Sequence, residues 1–169
     1  MEKYKNRKTT RLHNADYNNS SSVFLTICTK DRKCVLSKIV GTGVLDGPFI
    51  ELLPYGKIAD KYIKQLDSFY NDIFVEAYVI MPNHIHLMLI VNHEDNGPSR
   101  TPVPTIQNST VSRFISTFKR FCNKDCGENI WQYRSYDHII RNSQDHKEHL
   151  NYIYENPLRW SDDKLYSEE

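Results

Sequence analysis

The apolar positions of this chain alternate between two periods. Ser22–Thr29 (SVFLTICT) alternates with β-branched or aromatic side chains, which predicts a first strand. From about Pro54 to Tyr70 the spacing changes: Ile58, Tyr62, Ile63, Leu66 and Phe69 recur at three and four, the stripe of an amphipathic helix. Phe74–Ile80 returns to strand composition and leads into Tyr78–Val91 (YVIMPNHIHLMLIV), where Pro82-Asn83 is a turn signal between two apolar runs. This predicts a tight antiparallel hairpin.

Beyond residue 91, Gly97, Pro98, Pro102 and Pro104 predict a loop over 92–109. Ser109 or Thr110 then caps a helix striped by Val111, Phe114, Ile115, Phe118 and Cys122. Ile130–Arg141 closes with a short β-like run, and Asn142 or Ser143 caps a last helix that runs to about Asn156 and stops at Pro157. The glycine-punctuated stretch 35–53 reads as a ragged hairpin or loop. Its G-T-G-V-L-D-G run is not a dinucleotide fingerprint, because the third glycine comes one residue late and no apolar helix follows. The order β, α, β, β, α, β, α is that of a ferredoxin-like (RRM-like) α+β fold: an antiparallel sheet with two helices on one face. The surplus C-terminal helix is expected on the other face.

Strand periodicity turns two histidines into a candidate site. His84, His86, Met88 and Ile90 share one face of their strand, while Ile85, Leu87, Leu89 and Val91 share the other, which is wholly apolar and predicted core. Each neutral imidazole needs partners for two nitrogens. Two of them side by side in an apolar strand look like a metal pair. In the last helix, Tyr152 and Asn156 lie four apart on one stripe, with Glu148 and His149 one turn earlier and Leu150 and Ile153 toward the core. Taken alone, a helical tyrosine is ordinarily a packing residue.

Composition narrows the setting. The 169 residues suit one domain, 1–169, and 22 basic against 21 acidic residues leave no global field that would announce nucleic acid. The charge is uneven, however. Lys3, Lys5, Arg7, Lys8 and Arg11 form a basic N-terminal arm within residues 1–15, whereas Asp162, Asp163, Glu168 and Glu169 weight the C-terminus. Arg113, Arg120 and Lys124, with Lys119 beside them, make a basic stripe on the second helix that suits either solvent or phosphates. Cys28, Cys34, Cys122 and Cys126 fit no common zinc spacing and are expected to be reduced. No apolar stretch has membrane-span length and the N-terminus lacks a signal-peptide core, so the expected location is cytoplasmic.

The lead into N-A-D-Y, the strand T-I-C-T, the string Y-V-I-M-P-N-H-I-H-L, the helix F-I-S-T-F-K-R-F, the run W-Q-x4-D-H-I-I-R and the ending Y-I-Y-E-N-P-L-R-W occur in that order. Together they resemble the REP-associated tyrosine transposases, in the insertion sequence 200-like group of single-tyrosine HUH (His-hydrophobe-His) nucleases, from about Arg7 to Trp160. The resemblance implies that His84 and His86 are the HUH pair that binds Mg²⁺ or Mn²⁺, with Asn156 as third ligand and Tyr152 as nucleophile. Gln is commoner at the amide position in the wider group, and Asn followed by Pro is similar to the REP-associated branch. It further implies a DNA transposase and single-strand endonuclease that cuts and rejoins hairpin, REP-like palindromic DNA through a 5′-phosphotyrosine, acting as monomer or homodimer. The basic arm and stripe are then DNA-binding candidates.

Two rival enzyme readings fail on the residues. Histidine-triad hydrolases need H-x-H-x-H, and the third position here is Met88. Two-histidine phosphoesterases need Ser or Thr two residues after His, where this chain has His86 and Met88. A catalytically silent, domesticated hairpin DNA- or RNA-binding protein is the remaining alternative, since this scaffold also serves RNA recognition. Tyr133 and Tyr136, lacking an amide four residues on, are read as packing or DNA-stacking residues. His93, His138 and His146 show no ligand spacing with the HUH pair, while His149 or Glu148 is within helical reach of its metal shell.

Overall fold

The computed structural model describes residues 20–41, 49–92 and 105–167. Chain order is β1 (Ser20–Cys28), β2 (Ser37–Val40), β3 (Phe49–Leu52), α1 (Pro54–Phe69), β4 (Ile73–Ile80), β5 (His84–Asn92), α2 (Thr105–Cys126), β6 (Tyr136–Ile139) and α3 (Ser143–Glu155). A 3₁₀ segment over Asn156–Asp162 follows α3 directly. Four strands form one antiparallel sheet in the order β4-β5-β1-β6, which is the ferredoxin-like arrangement.

One sheet face carries Val23, Leu25, Ile27, Ile85, Leu87, Leu89 and Val91 against Ala59, Ile63 and Leu66 of α1 and Phe114, Phe118 and Cys122 of α2. The opposite face carries Phe24, Ala77, Val79 and Met88, with Ile153 of α3 and Trp160 packed onto it. A β-bulge between Val75 and Ala77 makes this second face possible. Before the bulge Ile73 is buried in the α1/α2 core; after it Tyr78 and Ile80 take that side, and Ala77, Val79 and Met81 turn toward α3. Glu76, the extra residue, reaches His146 Nε2 of α3 at 2.8 Å.

Several boundaries differ from the sequence expectation. The glycine-punctuated stretch does form a hairpin, β2 with β3, paired from Ser37–Leu52 to Val40–Phe49. Helix α2 begins at Thr105 rather than at a Ser109 or Thr110 cap, so 105–109 are helix and only 93–104 of the expected loop lie outside the described residues. The cap of α3 is Asn142, whose side-chain oxygen accepts from the N–H groups of Gln144 and Asp145 at 3.0 and 2.9 Å. Within Ile130–Arg141 only Tyr136–Ile139 is strand, preceded by a single bridge from Trp131 to Thr29. The basic arm, with Lys3, Lys5, Arg7, Lys8 and Arg11, lies outside the described residues, as does His93.

Candidate active site

The β4–β5 turn fixes the histidines before any ligand is considered. Asn83 O accepts from the Thr29 N–H at 2.9 Å and Pro82 O from the Leu36 N–H at 3.0 Å, which ties the turn to the end of β1 and to the start of β2. The Asn83 side chain is 1 % exposed and fully committed. Its Nδ2 donates to Leu165 O (2.8 Å) and to Ser167 Oγ (2.9 Å), so its Oδ1 is left to accept from His84 Nδ1 at 2.8 Å. That bond places the His84 proton on Nδ1 and leaves the Nε2 lone pair bare.

His86 Nδ1 is 2.9 Å from Thr26 Oγ1, its cross-strand partner on β1. The two imidazole rings meet edge to face with centroids 4.4 Å apart. Both are buried, His84 at 0 % and His86 at 2 % exposure, on the sheet face where the surplus helix was expected. Trp160 covers His84, while Phe24 and Tyr152 cover His86. Burial is the main reason that their pKa values fall, to about 4 for His84 and about 3 for His86. Both rings are neutral at neutral pH.

Helix α3 brings the other two candidates over this pair. Tyr152 is half-exposed, its ring edge to face with His86 at 5.1 Å. Asn156, at the end of α3, is 3 % exposed and donates through Nδ2 to Asp163 Oδ2 at 2.9 Å. The amide must turn its nitrogen to the carboxylate, because a carboxylate only accepts. Its Oδ1 is therefore aimed away and has no partner. Among the described residues four buried side-chain N or O atoms lack a hydrogen bond, and three of them are His84 Nε2, His86 Nε2 and Asn156 Oδ1.

Asp163 was not singled out from the sequence, where it counted only as C-terminal charge. Asn156–Asp162 turn the chain back so that Asp163 Oδ2 accepts from the Tyr152 hydroxyl at 3.1 Å and lies 3.9 Å from His84 Nε2. Burial opposes the Asp163 carboxylate, but the bonds from Leu165 N–H, Asn156 and Tyr152, with His84 nearby, hold its pKa below the usual value. The same contact acts in reverse on the phenol. Burial first, then the Asp163 charge and hydrogen bond, push the Tyr152 pKa up to about 12.

A divalent cation fits this arrangement. His84, His86 and Asp163 offer ligand atoms within 4.8 Å of one another, and the orphaned Asn156 Oδ1 adds a neutral oxygen. Glu148 and His149 are not in the group: Glu148 is exposed and accepts from Gln144 Nε2, and His149 Nδ1 is 3.0 Å from Asp145. His138, Asp145 and His149 make a second cluster, but the two imidazoles stack at an interplanar angle of 14°. Stacked rings cannot both direct in-plane lone pairs at one ion.

The basic stripe is not brought to the site. Helix α2 packs on the far side of the sheet, where Arg113 is 3.8 Å from Asp72 and Arg120 lies over Phe121. Lys124 is exposed on the same helix. Lys119 Nζ donates to the backbone carbonyls of Gln132 (2.8 Å) and Tyr133 (3.3 Å) and serves to anchor that loop. Tyr133 is 98 % exposed, which rules out the packing reading for its side chain.

Fold and site together define a ferredoxin-like α+β protein whose sheet face carries a buried two-histidine cluster under a tyrosine-bearing helix. No family model matches the sequence. A REP-associated tyrosine transposase of Escherichia coli is 34 % identical over 86 residues, which is 50 % of this chain and 44 % of that protein. An uncharacterized protein of Haemophilus influenzae is 24 % identical over 173 residues, 95 % of this chain and 93 % of its own. The solved structure of a REP-associated tyrosine transposase bound to a REP hairpin aligns with a TM-score of 0.56 at 20 % identity, over 89 % of this chain and 74 % of that one. The chain is thus related to the REP-associated tyrosine transposases over half its length and shares their fold. Among the described residues no helix is long and apolar enough to cross a membrane.

Proposed function

We propose that this protein is a single-tyrosine transposase that cleaves and rejoins single-stranded, hairpin-forming DNA of REP-like palindromic type. The observation that carries the reading is the His84, His86 and Asp163 group, whose ligand atoms lie within 4.8 Å of one another, with Tyr152 and Asn156 both bonded to Asp163 and with His84 Nε2, His86 Nε2 and Asn156 Oδ1 buried and unpartnered. In the proposed step Tyr152 Oη forms a bond to the scissile phosphorus as the bond to the 3′ oxygen breaks. The products are a 5′-phosphotyrosine and a free 3′-hydroxyl. The phenol proton passes to the carboxylate that already accepts it, Asp163 Oδ2 at 3.1 Å, and the leaving oxygen takes up a proton from solvent. The phosphotyrosine conserves the phosphodiester energy, so attack by another 3′-hydroxyl reverses the step and joins strands without ATP.

His84, His86 and Asn156, with Asp163 adjacent, would hold Mg²⁺ or Mn²⁺, which would supply Lewis-acid polarisation of a phosphate oxygen. The protein's own part is positioning. Phe24, 6.1 Å from Tyr152 and stacked on His86, fixes the phenol against the histidine pair.

The test is covalent capture. Labelled hairpin oligonucleotide, incubated with the protein and Mn²⁺, is expected to give an adduct that survives denaturing electrophoresis and maps to the Tyr152 peptide. Chelator or Tyr152→Phe should abolish it while hairpin binding persists. An adduct on Tyr136, or none from wild type with any divalent metal, overturns the assignment, and the latter result favours the binding-only alternative.

A further inference from the structure

The sheet face that carries the histidines does not end at them. The register sets Val79, His86, Thr26 and Tyr136 in one row across β4, β5, β1 and β6. Directly paired residues share a face, so Tyr136 stands on the same surface as His86, two strand spacings or about 10 Å away. Its row-mates are buried, with Val79 at 8 %, His86 at 2 % and Thr26 at 8 %, but Tyr136 is 56 % exposed.

The difference comes from where α3 stops covering the sheet. The next row, Met88, Phe24 and His138, is roofed by α3, since His149 packs on both Phe24 and His138. In the Tyr136 row Tyr152 reaches over His86 and goes no further. Tyr152 is half-exposed and Tyr136 exposed, and between their positions the same sheet face carries the buried Thr26 and the partly buried Cys28.

The charges here are divided, with the Asp163 carboxylate at the Tyr152 end and cations elsewhere. The guanidinium of Arg32 acts on both Cys28 and His84, and Lys119 acts on Cys28. Arg134 is exposed two residues before Tyr136. A bare aromatic ring on a pinned edge strand, with cations beside it, suits the face of an unpaired base whose phosphates lie along the cations. A duplex, with its bases stacked on one another, offers no such face.

Resting on the reading of the site as a DNA strand-cleaving centre, we infer that Tyr136 is a stacking platform for an unpaired nucleobase of the single strand that flanks the hairpin, and so positions that strand toward Tyr152. Stacking needs an aromatic plane and no hydroxyl. Tyr136→Phe should therefore keep the function, whereas Tyr136→Leu and Tyr136→Ala lose it.

The experiment measures binding of two labelled oligonucleotides in Mn²⁺-free buffer: a hairpin with short unpaired thymine flanks, and the same hairpin without them. Wild type and Tyr136→Phe should prefer the flanked form, and Tyr136→Ala and Tyr136→Leu should lose about tenfold in affinity for it with none lost for the blunt hairpin. The slope of log affinity against log salt should not change, because the ring neutralises no phosphate. Tyr154→Ala, on an exposed ring of α3, should match wild type. Equal loss on both oligonucleotides, full rescue by Leu, or no preference of wild type for the flanked form overturns the inference. A flank preference that depends on Tyr136 in a protein that forms no adduct leaves it standing and removes the cleavage reading instead. Adduct formation with a flank preference indifferent to Tyr136→Ala removes this inference alone.

Discussion

Replacing His86 by Asn separates a ligand role from a packing role. Asn retains a polar atom near the position of Nδ1, so the bond to Thr26 Oγ1 can be kept, while the buried, unpartnered Nε2 disappears. In the metal-free protein the His86 pKa is about 3 against an ordinary 6.5, with burial as the main cause and the nearby His84 next. The sign follows from proton counting. Below pH 6.5 the unfolded chain binds a proton that the folded chain refuses, so stability is complete above that pH and falls as the solution is acidified, levelling only below about 3. Down to about pH 5 the loss covers roughly 1.5 pH units, or about 2 kcal/mol. His86→Asn should therefore lose about 2 kcal/mol less than wild type between about pH 7 and about pH 5. Carboxylate titrations are common to both proteins and cancel. Urea melts followed by circular dichroism at the two pH values, with chelator, measure this difference. Repeated at neutral pH with Mn²⁺ at about a hundred times its dissociation constant, the melts should show wild type gaining about 2.7 kcal/mol and the variant nothing. Equal pH slopes, or equal stabilisation by Mn²⁺, would refute the picture of a buried neutral ligand.

Asp163→Asn should bring the Tyr152 pKa down from about 12 toward its ordinary value, leaving the part caused by burial; ultraviolet difference titration against Tyr152→Phe isolates that phenol. Gly56→Ala should cost about 3 kcal/mol in a denaturant melt, because the added Cβ would collide with the rigid Leu36 backbone carbonyl, and a cost below about 0.5 kcal/mol would contradict the close approach. Arg113, Arg120 and Lys124 changed together to Gln should weaken hairpin binding and flatten its salt slope by about 0.9 per lost phosphate contact. Because α2 lies across the sheet from the histidines, the cleavage rate at saturating DNA should not move; an unaltered slope would return the stripe to solvent.

Which parts of this were legible follows from how local their causes are. Ile85, Leu87, Leu89 and Val91 alternate because one strand face is core, and the pattern needs no knowledge of the partner. Helix α1 announced itself in the same way, by a stripe at three and four. Hairpin β2–β3 was harder, because each strand has four residues and three of the eight are exposed. The bulge at Glu76 left no sequence signal, although it decides which residues of β4 meet α3. Asp163 was hidden by a different cause: it reaches Tyr152 and Asn156 only because Asn156–Asp162 reverse the chain. Helical periodicity stops at Pro157 and cannot follow that turn.

The energetics of the site explain why its residues stood out at all. A buried polar atom without a partner costs about 1–3 kcal/mol, and a whole domain is stable by only about 5–15 kcal/mol. Three such atoms belong to His84, His86 and Asn156, residues that neighbour Asp163; the fourth among the described residues, Trp131 Nε1, has the Cys122 thiol as a weak neighbour. Packing alone would favour Leu or Phe at 84 and 86, which bring no desolvated nitrogen and suit the apolar company of Phe24, Met88 and Trp160. Asn83 does not relieve this cost. By accepting from His84 Nδ1 it assigns the proton and leaves the bare Nε2 with Asp163 Oδ2 3.9 Å away, so Asn83 keeps that nitrogen unprotonated rather than satisfied. An arrangement that holds lone pairs ready and refuses protons is one that a cation stabilises and a folding optimum would discard.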